Sequence, residues 1–247
     1  MNLFVFDDIN TLAEAAATLW TKKIWDKTDL RICLSAGKTP EPIYQKMIDF
    51  YHEGQVCMRD IEAFLLTEFG GIAPNAPECS QNMIRNSFLN WVDFPAGHLQ
   101  CINPNVPNLD EEIKRYDDLF LTPMDLTILG IGVNGHIGMN EPGSMSDSPT
   151  RKVNLTQSSI NATQYYRENI NTQDPLPTWA ITVGMNRILE SNEIWIVATG
   201  KYKAGVLRRL FAMPPSPETP ASWLQNHPNC SIFADRQAAS QLFIANS

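Results

Sequence analysis

Two short stretches of this chain combine small residues with residues able to do chemistry. The first is Ser35, Ala36, Gly37, Lys38 and Thr39, directly after an apolar run. Small side chains allow close approach to the backbone, Thr39 can cap a helix, and Pro40 suits a first helical position. Backbone amides at such a helix start form an anion site, with Lys38 beside them. The GK[ST] here is not a P-loop, because Ile32 stands where the first glycine of that motif is required. Taken alone, the segment reads as an ordinary capped turn between a strand and a helix.

The second stretch is DLTILGIGVNGHIGMNEPGS, residues 125–144. Its GIGVNG, residues 130–135, satisfies GxGxxG after a strand. A dinucleotide site needs a helix to begin in that loop, and Gly138, Pro142 and Gly143 interrupt any helix there, so no NAD site is expected. The same loop supplies His136, followed five residues later by Glu141. An imidazole titrates near neutrality and a carboxylate stabilises its protonated form, so the pair is suited to moving protons.

Loops of this kind must be held at the ends of buried strands. Helical periodicity over residues 11–24 precedes an apolar run at 30–34 and a helical pattern at about 40–51. Further apolar runs lie at 63–66, 126–131 and 194–198, with helix-like or polar segments between them. That rhythm predicts an α/β fold with a mostly parallel sheet covered on both faces, its ligands bound beyond the carboxyl ends of the strands. The polar span 144–178, with Pro149, Pro175 and Pro177, reads as a surface excursion or lid. The proline-rich stretch 213–222 reads as a loop feeding a last helix.

Composition narrows the function classes. The 247 residues are 43% hydrophobic with a net charge of −8. There is no basic stripe to grip a phosphate backbone, so nucleic acid is not an expected partner. No apolar run approaches the roughly 18 residues needed to span a bilayer, and Asp7 and Asp8 stand where a signal peptide would carry lysines. A soluble, cytoplasmic protein is expected, with no membrane partner. Cys33, Cys57, Cys79, Cys101 and Cys230 are scattered without a CxxC pair, which indicates neither a metal site nor a disulfide framework.

Four segments together resemble the glucosamine-6-phosphate deaminase family. CLSAGKTPEPIY (33–44) is similar to its sugar-phosphate loop, LLTEFGGIAPNAPECS (65–80) to its second active-site loop, and residues 130–144 to its third. Residues 178–210 look like its last core strand pair, ending in a glycine and a lysine, and PASWLQNHP (220–228) like its closing element. The wider group includes galactosamine-6-phosphate isomerases and 6-phosphogluconolactonases. Lactonases typically continue Gly-His with a Thr-Ala-Ser type of sequence, whereas Ile-Gly-Met-Asn-Glu-Pro follows His136 here, the deaminase and isomerase form.

The resemblance implies a single-domain, Rossmann-like three-layer sandwich over residues 1–247, a small-molecule sugar phosphate as substrate, and no cofactor. It implies that His136 assists ring opening and that Glu141 sets the charge and orientation of that histidine. Gly135 and the Ser35–Thr39 loop would contact substrate, and Lys203 would hold the phosphate with Lys201 as a neighbour. The family's phosphate arginine is expected in the polar excursion, where Arg167 is the nearest arginine and a gapless comparison gives Tyr165. Self-association into a homo-oligomer is left open.

Two positions depart from the family pattern. The usual proton-transfer base is an aspartate in Asp-Glu-Tyr, which here reads Thr67, Glu68, Phe69. A threonine hydroxyl cannot act as a carboxylate base at pH 7, so Glu68 or a water is expected to substitute. Asn134 stands where deaminases commonly have aspartate and resembles the galactosamine-6-phosphate isomerase branch. The expected activity is therefore amino-sugar 6-phosphate isomerase or deaminase chemistry. The alternatives are an enzyme for another phosphosugar, a non-catalytic sugar-phosphate-binding homologue, and a 6-phosphogluconolactonase.

Overall fold

The apolar runs become strands and the amphipathic stretches between them become helices. In the computed structural model, residues 1–167 and 176–242 are described, apart from the side chains of residue 162 and residues 164–167. In chain order the elements are β1 (Asn2–Phe6), α1 (Ile9–Asp26), β2 (Arg31–Leu34), α2 (Glu41–His52), β3 (Glu62–Leu65), β4 (Thr67–Gly70), α3 (Ser80–Ser87), β5 (Leu99–Gln100), α4 (Leu109–Asp118), β6 (Leu126–Gly130), β7 (Arg151–Asn154), α5 (Gln157–Arg167), β8 (Trp179–Thr182), α6 (Met185–Leu189), β9 (Ile194–Ala198), α7 (Ala204–Ala212) and β10 (Cys230–Asp235).

Seven strands form one sheet in the order β1-β10-β9-β6-β2-β3-β5, and every pairing in it is parallel. The chain winds outward from β2 through β3 to β5, then returns to lay β6 on the other side of β2. That reversal opens a crevice beyond the carboxyl ends of β2 and β6, where open α/β sheets hold their ligands.

Strand alternation divides the interior into two cores. Ile32 and Leu34 of β2 face one core with Trp20 of α1 and Met47 of α2, all buried. Cys33, one residue between them, faces the other core with Tyr116 of α4 and Leu207 of α7. Each fully buried aliphatic or aromatic side chain of this kind stabilises the fold by roughly 1.5–3 kcal/mol. Helices therefore cover both faces of the sheet, as the α/β rhythm requires.

Local chemistry sets the helix starts. Asp8 accepts from the amides of Asn10 and Thr11, each at 2.9 Å, and Thr11 Oγ1 accepts from the Asp8 amide at 3.2 Å. This reciprocal cap begins α1 two residues ahead of the apolar periodicity. At α2 the expected cap is corrected: Pro40 itself occupies the cap position with helical φ −83°, and no side-chain hydrogen bond caps the helix. Thr39 instead lines the cavity described below.

Three further features differ from the sequence expectations. Residues 178–210 are not a pair of core strands, because β8 leaves the main sheet and pairs antiparallel with β4 and β7 in a separate three-stranded sheet. Close packing holds that sheet: a Cβ on Gly70 would lie 2.1 Å from the Trp179 ring, so only glycine fits beside it. The last core strand is β10, buried along its whole length. The span 144–178 carries β7 and α5 in its described part, while residues 168–175 lie outside the described residues.

Candidate functional site

Beyond the ends of β2, β6 and β9 lies a cavity of about 350 Å³. Its walls include the Ser35–Thr39 loop, the Gly130–Val133 turn, His136, Thr67, Ser158 and Lys203. The sheet's switch point thus brings together the two chemistry-bearing stretches of the sequence, although nearly a hundred residues separate them.

At one wall stands His136. The turn that carries it is closed by the Gly132 amide, which donates to the His136 carbonyl at 3.0 Å. A Cβ on Gly132 would meet the imidazole at 2.5 Å, so the glycine that imitates a dinucleotide motif serves to admit the ring. Nδ1 of His136 lies 3.5 Å from Glu141 Oε2. Glu141 is buried and also accepts from Ser159 Oγ, and from the Asn134 side-chain amide at 2.8 Å. Burial raises the Glu141 pKa, but the hydrogen bonds from His136, Ser159 and Asn134 and the charge of the imidazole outweigh it, leaving the carboxyl at about 2. Glu141 is thus ionised across the neutral range and does not itself line the cavity.

Asn134 takes on a different meaning in this setting. Its Oδ1 accepts from the His136 amide at 3.1 Å while its Nδ2 donates to Glu141 and, at 3.3 Å, to Ser158 Oγ. An aspartate could accept the backbone bond but could not donate to Glu141, and would set two negative charges side by side. Asparagine at this position therefore completes the cluster.

The cavity wall also carries positive charge. Gly200, with φ of +84°, turns the chain after β9, and its amide donates to both carboxylate oxygens of Asp235 at 2.9 and 3.1 Å, tying the turn to β10. This places Lys203 in the wall, its ammonium donating to the Ile131 carbonyl at 2.5 Å and standing 5.0 Å from the centroid of the Tyr202 ring. Burial lowers the Lys203 pKa to about 8. Lys201 is exposed and does not line the cavity. Lys38 lines it and pairs with Glu41 at 3.0 Å. A buried lysine beside a loop of small residues can hold a phosphate, while an imidazole with an ionised carboxylate behind it can move protons.

Two sequence-expected site residues, Glu68 and Gly135, are placed elsewhere. Glu68 is corrected as a substitute base: on β4 it points away from Thr67, and it lines a second cavity with Cys79 and Cys101. Its carboxylate accepts from the amides of Phe69 at 3.0 Å, Ser80 at 2.8 Å and Gln81 at 3.3 Å, acting as the cap that α3 otherwise lacks. Gly135 is corrected too. It faces the closing element, where a Cβ would meet Thr219 at 2.6 Å and its carbonyl accepts from Ala221 at 2.9 Å. Arg167 closes α5, and its side chain lies outside the described residues.

Ser158, Ser159 and Tyr202 belong to the site without having been singled out from the sequence. No spacing ties the start of α5 to His136; only the docking of that helix on the loop does so. Arg151 is a further brace, donating to Asn140 at 2.9 Å and to Ser144 at 2.8 Å across the loop that carries Glu141.

A family model described as glucosamine-6-phosphate isomerases/6-phosphogluconolactonase matches residues 7–232. A glucosamine-6-phosphate deaminase of Bacillus pumilus is 35% identical, over 97% of this chain and 99% of its own length. One from Mycoplasma mycoides is 34% identical over 98% of each. Among solved structures, a monomeric glucosamine-6-phosphate deaminase matches with a TM-score of 0.92 at 31% identity, covering 98% of this chain and 100% of that one.

Proposed function

The chain belongs to the family of glucosamine-6-phosphate isomerases and 6-phosphogluconolactonases, and from that premise we propose that it converts an amino-sugar 6-phosphate, with glucosamine 6-phosphate the first choice, into the ketose 6-phosphate and ammonia. One observation carries this reading: a single cavity has a buried lysine on one wall and, on another, an imidazole backed by an ionised carboxylate. A sugar phosphate needs both, an anion anchor at one end and an acid–base at the carbon that reacts.

In this mechanism Lys203 and the Ser35–Thr39 loop hold the phosphate. His136 moves the ring-opening proton from the anomeric hydroxyl to the ring oxygen, and Glu141 keeps the imidazole oriented and stabilises its charged form. Asn134, Ser159 and Arg151 are positioning residues. Asn134 is equally compatible with galactosamine 6-phosphate as a substrate. Among the described residues no helix is long and apolar enough to cross a membrane, and action on a free cytoplasmic metabolite is part of the proposal.

Ammonia and ketose-phosphate release from glucosamine 6-phosphate and galactosamine 6-phosphate tests it, with 6-phosphogluconolactone as the third substrate. Stoichiometric ammonia and ketose phosphate are expected from at least one amino sugar. Hydrolysis of the lactone alone would replace the proposal with lactonase activity. Stabilisation by the amino-sugar phosphates without turnover would make the chain a binding homologue, the reading that Thr67 favours.

A further inference from the structure

Opening the ring is only the first proton movement in such a reaction; a second must take hydrogen from C2 and return it to C1. Among the described residues, the cavity wall contains no carboxylate. Thr67 occupies the wall on β4, and a hydroxyl is no base for carbon at neutral pH. The next side chain, Glu68, faces the second cavity with its oxygens engaged by three amides. Glu141 stands behind His136, its oxygens taken by Asn134 and Ser159 and by the imidazole itself. The ionisable groups on the wall are therefore His136, Lys38, Lys203 and Tyr202. Lys38 is paired with Glu41 at 3.0 Å. Lys203 donates to the Ile131 carbonyl and is the phosphate anchor, with Tyr202 beside it, 65% exposed at the rim.

We propose that His136 carries both proton movements, ring opening and the C2-to-C1 transfer, so that one imidazole does the work of two groups. The inference rests on the isomerase and deaminase reading above. With Nδ1 toward Glu141, Nε2 is the nitrogen left to the cavity. In the open-chain amino aldose it takes the C2 proton; the C2–H pair becomes the C1–C2 double bond, and the carbonyl pair moves to O1, which takes a proton from water and leaves hydroxide. The imidazolium returns its proton to C1 as the nitrogen lone pair forms the C2 iminium. Hydroxide adds to C2, ammonia leaves, and the ketose carbonyl remains. Atoms and charge balance with one water consumed.

The two movements can be separated experimentally, because the ring of fructose 6-phosphate opens without enzyme. Exchange of its C1 hydrogens in D2O with ammonium present, followed by proton NMR, reports the carbon step alone, while ammonia release from cyclic glucosamine 6-phosphate needs both. His136→Asn is expected to lose both activities by at least about 100-fold, the scale of a general acid–base, with its thermal melting unchanged. Glu141→Gln supplies the second arm: the pH profiles of exchange and of ammonia release should move together and by the same amount. Exchange by His136→Asn within about threefold of the parent, with ammonia release lost, would overturn the inference and confine His136 to ring opening. A shift confined to the ammonia-release profile in Glu141→Gln would overturn it as well. A parent protein that neither releases ammonia nor exchanges would instead overturn the functional reading on which the inference stands.

Discussion

Two cavities lie on either side of β4. The one reached by Thr67 has a volume of about 350 Å³ and the one reached by Glu68 about 420 Å³. By composition the second should be the reactive one, since it has a carboxylate and two thiols. Its groups are spent or suppressed: the Glu68 oxygens cap α3, and burial with Glu68 nearby pushes Cys79 and Cys101 each up to about 12. The reactive groups of the first cavity keep capacity. His136 lines the cavity with Glu141 at its Nδ1, and Lys203 stands in the wall with its ammonium on the Ile131 carbonyl and beside the Tyr202 ring. Whether a buried polar group does chemistry depends on what remains after its structural hydrogen bonds are satisfied.

The largest expected break in this comparison is His136→Asn, with kcat for ammonia release falling by about 10²–10⁴-fold and little change in the melting curve. Lys203→Met should follow, raising KM about 10–100-fold, equivalent to about 1.4–2.8 kcal/mol of binding, with a smaller change in kcat. Glu68→Ala tests the other cavity. It leaves buried amides at the start of α3 without an acceptor and should cost about 1–3 kcal/mol in denaturant unfolding, with kcat/KM of the folded protein held within about threefold. A large loss of turnover in that variant at full stability would return Glu68 to the catalytic list.

Two pH effects are smaller, and each raises stability with pH, in separate windows. Glu141 is depressed to about 2 against an ordinary 4.5, so its contribution to stability is present above about 4.5 and is lost as pH falls toward 2. Thermal melting between pH 5 and 2 should show this, with Glu141→Gln less acid-sensitive in that window. Lys203 is lowered to about 8 from 10.5. In this range the unfolded chain binds more protons than the folded one, so stability without ligand rises from about pH 8 to 10.5. Affinity for inorganic phosphate should weaken over the same rise, because the amine loses its charge. Calorimetric titration at pH 7 and 9 reads that difference.

The legibility of the molecule follows the range of its forces. The largely apolar runs at β6 and β9 and the periodicity of α1 and α2 were readable, since burial on both faces or on one stripe marks the residues themselves. The small sheet was not. β4 and β8 are four residues each, and their partnership depends on Trp179 lying against Gly70, more than a hundred residues away. His136, Glu141, Thr39 and Lys203 stood out by type and neighbourhood, and the resemblance grouped them. Ser159 did not, because a serine acquires its role only when α5 docks on the loop.

The amino-acid sequence by itself determined the parallel α/β rhythm, the small-residue loops and the presence of an imidazole with a carboxylate five residues on, since these rest on local propensity and composition. Only the tertiary structure decided which carboxylate serves which purpose. Alternation along β4 sends Glu68 to cap a helix and Thr67 to the cavity, while hydrogen bonds from Asn134 and Ser159 hold Glu141 behind His136. Orientation and spare hydrogen-bonding capacity are properties of packed neighbours, and those neighbours are assembled from strands and loops far apart in the chain.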